Sequence, residues 1–289
     1  MATDEHEQPT IEQQLALCQA RLAKVEAKFA EEMEANRETI IQLKTALTKK
    51  TEFFAQVNHE LRTPLNGMLP MIELILRSEL SAETRDYVIT LREAGLSLLN
   101  IINDVLDFSK IEAGRFEVAS VQLDLAETVE GVAQILAPAA ASKNILLLSV
   151  IDKDLPETVI GDPQKIRQVL LNLCGNAIKF TDAGIVTIKV STVKAADKPR
   201  QLLFTVSDSG PGISQELKSH LFEPFFQGTV ANENQTSGTG LGLSISKRLV
   251  ELMAGKMFVD STHSVGSTFG FTLPQEELAN QEILKVWAR

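Results

Sequence analysis

The chain has 289 residues, 44% of them apolar and 23% charged, with a net charge of −10 at neutral pH. A length near twice the usual domain size predicts two units with cores of their own, and the composition excludes a disordered, fibrous or disulfide-stapled chain. The negative charge argues against a general nucleic-acid binder, no apolar run approaches the roughly 18 residues of a membrane span, and the acidic, polar amino terminus lacks the parts of a signal peptide. A cytoplasmic protein is expected, with no nucleic acid among its partners and no membrane contact by this segment. Cys18 and Cys174 stand far apart without metal-like spacing, which predicts reduced thiols.

Residues 1–10 are polar and contain Pro9, and read as a frayed start. From Ile11 the apolar residues Leu15, Cys18, Leu22, Val25 and Phe29 alternate steps of 4 and 3, a heptad seam. The step from Phe29 to Met33 is a four-residue stutter, after which Asn36, Ile40, Leu43, Leu47, Lys50, Phe54, Val57 and Leu61 resume the heptad phase. One helix from about residue 11 to Arg77 is predicted, bent rather than ended by its prolines and paired as a parallel dimeric coiled coil. A second helix begins after a break at Ser78–Ser81, with Ser81 as N-cap, and ends at Gly114. Its seam, Tyr87, Leu91, Ala94, Leu98, Ile101, Val105 and Phe108, is widened by Ile102, Leu106 and Ile111, as in a bundle helix. A two-helix hairpin cannot bury both faces alone, so a homodimer forming a four-helix bundle completes it. Beyond Phe116, strands at Ile145–Ile151, Ile185–Val190, Leu202–Ser207, Lys256–Ser261 and Ser267–Leu273 alternate with helices at Leu125–Ala140, Gln164–Phe180 and Ser244–Met253. The fold class is therefore an all-α coiled coil and dimeric four-helix bundle followed by an α+β sandwich, one sheet covered by helices on one face. The boundaries are 1–10 disordered, 11–50 coiled coil, 51–115 hairpin, 116–275 sandwich and 276–289 tail.

Four clusters carry chemistry. Asn58-His59-Glu60-Leu61-Arg62-Thr63-Pro64 places a proline within a strong helical pattern, where it removes the hydrogen bond to the Glu60 carbonyl. His59 lies off the seam, so its imidazole is exposed, with the Glu60 carboxylate able to hold it as a neutral nucleophile. A lone histidine on a helix is usually inert; the adjacent proline is what singles this one out. Asn172, Asn176 and Lys179, spaced 4 and 3, share one helical face, with Ile166, Leu170, Leu173 and Ala177 on another. Two amides and an ammonium on one stripe suit phosphate oxygens and a metal's water shell, a plain solvated face being the commoner outcome. Asp208-Ser209-Gly210-Pro211-Gly212 puts a carboxylate at a strand end, able to accept from the amine of a planar base, although a tight turn reads the same way. Gly238-Thr239-Gly240-Leu241-Gly242-Leu243 precedes the helix at Ser244, offering backbone N–H groups and a positive helix end to phosphates; a flexible linker is the alternative. Between these, Phe222-Glu223-Pro224-Phe225-Phe226 followed by the polar stretch Gln227–Ser237 reads as a mobile lid hinged at aromatic residues.

In chain order the clusters resemble the phosphoacceptor-histidine box, the asparagine box and the two glycine boxes of a sensor histidine kinase, with the phenylalanine box between the latter two, over residues 50 to 275. The second helix's end, Asp107-Phe108-Ser109-Lys110-Ile111-Glu112-Ala113-Gly114, is similar to that of hybrid kinases, but the receiver domain of that subclass is not in this sequence. The resemblance implies a Bergerat-type ATPase fold and a kinase using ATP and Mg²⁺, with a response-regulator receiver domain as partner. His59 would carry the phosphoryl group, Glu60 would orient it, and Thr63 would position water for dephosphorylating the receiver. Asn172 and Asn176 would bind Mg²⁺ and phosphates, Lys179 phosphate, and Asp208 the adenine amine. Gly210, Gly212, Phe222, Phe226, Gly238, Thr239, Gly240, Leu241, Gly242 and Leu243 would complete the nucleotide site. A chaperone-type or topoisomerase-type ATPase would share the glycine boxes but leave the histidine helix unexplained, and a non-catalytic dimeric scaffold would explain only the heptads.

Overall fold

A computed structural model describes residues 11–114, 116–193, 200–227, 239–262 and 264–275, with some side chains of the first helix left out. The chain divides into two compact units, residues 1–56 and 57–289. Helix α1 (Ile11–Leu76) contributes its first part to one and its second part to the other, and contains both Pro64 and Pro70. In the first unit the seam residues Leu15, Leu22, Val25, Phe29, Met33, Ile40 and Leu43 are all more than half exposed. The side chains of Cys18, Leu47 and Phe54 lie outside the described residues, as do residues 1–10 and 276–289.

In the second unit, α2 (Ala82–Glu112) starts where the sequence predicts. The Ser81 hydroxyl accepts from the Thr84 N–H, and the helix ends ahead of Gly114, whose φ of 65° is left-handed. The end of α1 and α2 run antiparallel, with Arg62 Nη2 donating to Asn103 Oδ1 at 2.7 Å and Arg92 Nη1 3.6 Å from Glu73 Oε1. Leu65 and Ile72 of α1 and Ile102 of α2 are buried between them, while Met71, Tyr87 and Leu91 stay more than half exposed.

The sandwich contains β1 (Val121–Asp124), α3 (Leu125–Ser142), β2 (Ile145–Ile151), β3 (Thr158–Gly161), α4 (Pro163–Phe180), β4 (Gly184–Val193), β5 (Gln201–Asp208), α5 (Gln215–Lys218), α6 (Gly242–Leu252), β6 (Lys256–Thr262) and β7 (Gly266–Pro274). Five strands form a mixed sheet in the order β2-β4-β5-β7-β6, with β2 and β4 parallel and the other pairs antiparallel. β1 and β3 pair separately, and the sequence pattern misses both: four-residue strands put only two side chains on each face, too few to show a period. The inward residues Val186, Ile188, Val190, Leu202, Phe204, Val206 and Phe271 are buried beneath α3, α4 and α6. Leu146, Leu148, Val150 and Ile185 stay exposed on the other face, because alternate residues of a strand must point there.

Helix α4 supplies the centre of the core through Ile166, Leu170, Leu173 and Ala177. Its start is fixed by Asp162, whose Oδ1 accepts from the Gln164 and Lys165 N–H groups while Oδ2 accepts from Ala119 N–H. Its end is closed by Lys143, which donates to the carbonyls of Ile178, Lys179 and Thr181. Cys174 is a free thiol on the buried side, pushed up to about 12 by burial and hence unreactive. Helix α6 begins two residues before the predicted Ser244, so Gly242 and Leu243 belong to its first turn rather than to a preceding loop. Among the described residues, no helix is long and apolar enough to cross a membrane.

Candidate nucleotide and phosphotransfer sites

Asn172, Asn176 and Lys179 lie on the half-exposed side of α4, as their spacing predicts. Asn172 Nδ2 donates to Ser246 Oγ on α6 at 2.9 Å, leaving its Oδ1 turned toward the first turn of α6. There the backbone comes so close that a Cβ on Gly242 would lie 2.4 Å from Asn172 Oδ1. The absence of a side chain at 242 thus brings the amide stripe of α4 and the glycine-opened start of α6 to one place. Among the described residues no side chain caps that start, which lies against the Asn172 amide. Lys179 is held below the usual lysine range, first by burial and then by repulsion from Lys143, and its Nζ lies 5.0 Å from the centre of the Phe180 ring.

Asp208 ends β5, where its Oδ1 accepts from Gly210 N–H at 2.9 Å and Ser267 N–H at 3.3 Å. Burial pushes its carboxyl above the usual aspartate range, and these two N–H groups oppose the shift. Gly212 adopts a left-handed φ of 70°, and Gly210 packs so tightly that a Cβ there would lie 2.9 Å from Asp208 Oδ1 and 3.1 Å from Thr181 Oγ1. That Thr181 hydroxyl is fully buried and has no hydrogen-bond partner among the described residues. Sequence reasoning missed Thr181 and Ser246; the first closes the stretch that holds both asparagines, and the second lies one turn beyond Gly242.

Thr239 and Gly240 form the turn into α6. Thr239 Oγ1 accepts from Leu241 N–H at 3.0 Å, and Gly240 takes a φ of 70° and accepts from Phe225 N–H at 2.9 Å. Leu241 is buried in the core and Leu243 packs against it. The phenylalanine segment therefore meets the glycine turn directly. Phe222 packs on the core with Lys247 Nζ 5.5 Å from its ring centre, and the Phe226 ring lies 5.6 Å from that of His220. Gly238 and all of the expected lid but Gln227 lie outside the described residues.

His59 is exposed on α1, with Glu60 exposed beside it. Thr63 Oγ1 donates to the His59 carbonyl at 2.9 Å, a bond made next to the place where Pro64 has no N–H to give the Glu60 carbonyl. The preceding Asn58 is buried, and its Nδ2 lacks a partner among the described residues. The hairpin register sets His59 level with Leu106 on α2.

Two family models match the chain: a His Kinase A (phospho-acceptor) domain over residues 49–114, and a histidine kinase-, DNA gyrase B-, and HSP90-like ATPase over residues 161–277. The chain is 42% identical over 224 residues to a sensor histidine kinase, GacS, of Pseudomonas protegens, covering 78% of this chain and 24% of that protein. It is 41% identical over 222 residues to a signal transduction histidine-protein kinase, BarA, of Escherichia coli, covering 77% of this chain and 24% of that one. It thus spans about a quarter of the length of these curated relatives. Among solved structures, full-length ShkA in complex with AMPPNP superposes with a TM-score of 0.65 at 38% identity, covering 79% of this chain and 46% of that one.

Proposed function

Because the chain belongs to the histidine kinases of two-component signalling, we propose that it transfers the γ-phosphoryl group of ATP to His59 and from there to an aspartate of a response-regulator receiver domain. The observation that carries the reading is the approach of Gly242 to Asn172, which joins the amide stripe of α4 to a helix start that is uncapped among the described residues, in the same chain as an exposed hairpin histidine.

In the first step a ring nitrogen of His59 forms an N–P bond to the γ-phosphorus, and the P–O bond to the β-phosphate breaks with its electron pair leaving on ADP. Glu60 holds the N–H of the other ring nitrogen and stabilises the charge that develops on the imidazole. Asp208 accepts from the adenine amine, and the buried Thr181 hydroxyl lies on the same side of the pocket. The N–H groups of Gly242 and Leu243 and the ammonium of Lys179 bind phosphate oxygens. Gly210, Gly212, Gly240, Thr239 and Leu241 shape the backbone around them, with Phe222 and Phe226 on the adjoining segment. The donor set fits Mg²⁺, since Asn172 Oδ1 is turned into the space that a side chain at 242 would fill and amide oxygen is a hard ligand. Asn172 and Asn176 would hold the ion, which offsets charge on phosphate oxygens during transfer. Positioning and electrostatics supply most of the catalysis.

Thr63 would position water for dephosphorylating the receiver, by breaking the bond it makes to the His59 carbonyl. The exposed heptad seam and hairpin face support a homodimer, and the cytoplasm is the compartment proposed for it. The test is a phosphorylation assay with γ-labelled ATP. The full chain should acquire acid-labile, base-stable label, and His59→Gln should lose it while binding ATP within about twofold of the parent. Label that persists in His59→Gln overturns the assignment of the histidine.

A further inference from the structure

Helix α2 does more in this structure than complete the hairpin. Asp104 and Phe108, one turn apart and on one face, reach the two segments that the glycine turn brings together. Thr239 Oγ1 donates to Asp104 Oδ2 at 3.1 Å, and the Phe108 ring meets Phe225 edge-on with centroids 6.2 Å apart. Phe225 N–H in turn donates to the Gly240 carbonyl. A third contact lies beside them, where Gln168 Nε2 of α4 donates to Asp107 Oδ2 at 2.7 Å.

We propose that Asp104 and Phe108 are positioning residues, which hold the turn Thr239–Gly242 against α2 at the height of His59 so that bound ATP is presented to the imidazole. The proposal rests on the kinase reading above and adds to it a role for α2. Three observations lead to it. The register of the hairpin puts His59 level with Leu106, midway between Asp104 and Phe108, so the two contacts bracket the height at which the phosphoryl group must arrive. Thr239 makes both its bonds at once, accepting from Leu241 N–H and donating to Asp104, so the start of α6 is tied to α2 through one hydroxyl. Finally, the Asp104 carboxylate bears a cost that plain packing would avoid. Burial lifts the Asp104 carboxyl above its usual range against the hydrogen bond from Thr239, and Asp107 repels it. Two acidic groups facing the ATP-binding domain, each accepting a bond from a neutral side chain, fix the rotation of that domain about the helix in a way that an apolar contact would not. The same holds whichever hairpin of a dimer supplies the histidine, since parallel hairpins keep both at one height.

The experiment compares the full chain with Asp104→Ala, Asp104→Asn, Thr239→Val, and Asp104→Ala combined with Thr239→Val, measuring autophosphorylation kcat and KM and, separately, ATP affinity by calorimetry. Asp104→Ala should lower kcat at least tenfold, with KM and ATP affinity within twofold of the parent. Asp104→Asn keeps an oxygen acceptor for the Thr239 hydroxyl and should recover at least half of the lost rate. With Thr239→Val already present, removing Asp104 should cost no more than twofold further. An unchanged or raised kcat in Asp104→Ala overturns the proposal, as does an Asn variant no better than Ala, or a loss confined to ATP affinity. Circular dichroism melting of each variant separates misfolding from misalignment, and Phe108→Ala, which removes the contact with Phe225, replaces Asp104→Ala if the latter does not fold, with a fall in kcat at unchanged ATP affinity expected and an unchanged kcat overturning the proposal. A parent protein that takes up no acid-labile label overturns the kinase reading itself and this proposal with it. A parent that is labelled at the same rate as Asp104→Ala overturns this proposal alone.

Discussion

Replacing Gly242 with alanine separates the stability of the ATP-binding domain from its chemistry. A Cβ at 242 would lie 2.4 Å from Asn172 Oδ1 and 3.1 Å from its Cγ, but it meets no backbone within that range, so the amide must swing away while the helices stay in place. Swinging breaks the 2.9 Å bond from Asn172 Nδ2 to Ser246 Oγ, a loss of about 0.5–1.5 kcal/mol. Alanine recovers up to about 1 kcal/mol over glycine in a helix, and less at the first position, where residue 242 stands. The two effects nearly cancel, leaving the melting temperature within roughly 4 °C of the parent. The displaced oxygen is a proposed Mg²⁺ ligand, and a shift of about 1 Å in a positioning group costs roughly hundredfold in rate. Melting followed by circular dichroism and the γ-labelled ATP assay read the two quantities. Asn172→Ala should show the same loss of rate, and adding Gly242→Ala to it should cost nothing more, because the group that the methyl strikes is gone. Full activity in Gly242→Ala, or a further loss on the Asn172→Ala background, refutes the reasoning. Gly240 is the contrast: its φ is 70° and a Cβ would meet the Phe225 backbone at 2.7 Å, so alanine there must move main chain and destabilise the turn.

Asp208→Asn should weaken ATP binding by about 1.5–3 kcal/mol, roughly ten- to hundredfold, because a charge-assisted acceptor becomes a neutral one; calorimetry checks it, and unchanged affinity would remove Asp208 as the adenine reader. The pH dependence follows from the raised carboxyl: the native state binds this proton more tightly than the unfolded state, so its contribution to stability declines as pH rises through the window between the two pKa values. Any stability advantage of unliganded Asp208→Asn should therefore shrink as pH is lowered from neutrality, while ATP affinity of the parent falls as Asp208 takes up its proton; melting and binding measured across pH test both signs. Phe204→Ala should cost about 3–5 kcal/mol and lower the melting temperature by roughly 6–20 °C, since Phe204 is fully buried and stacks on Phe271 at 4.7 Å. A loss below about 1 kcal/mol would mean that the sheet and helices repack around the gap.

The sequence alone determined whatever depends on periodicity and on residue type at short range. The Ser81 cap, the helix stop at Gly114, the buried face of α4 and the five strands of the main sheet each have a signal of several residues repeated at 3.6 or 2, and tertiary contacts reinforce it. The Asn172, Asn176 and Lys179 stripe was legible for the same reason, since spacing along a helix fixes which side chains share a face. Tertiary structure decided what depends on elements distant in the chain. The four-residue strands β1 and β3 exist because each supplies the other's hydrogen bonds. Gly242 lies against Asn172 because α4 and α6 pack over the same sheet, and the long stretch of chain between the two residues leaves no trace of that approach in local pattern. The Thr181 hydroxyl, without a partner among the described residues, and the bond from Thr239 to Asp104 are of the same kind. Each depends on where a buried polar group ends up once the hydrophobic faces have closed, and hydrophobic pattern fixes which faces close without fixing which polar atoms then meet.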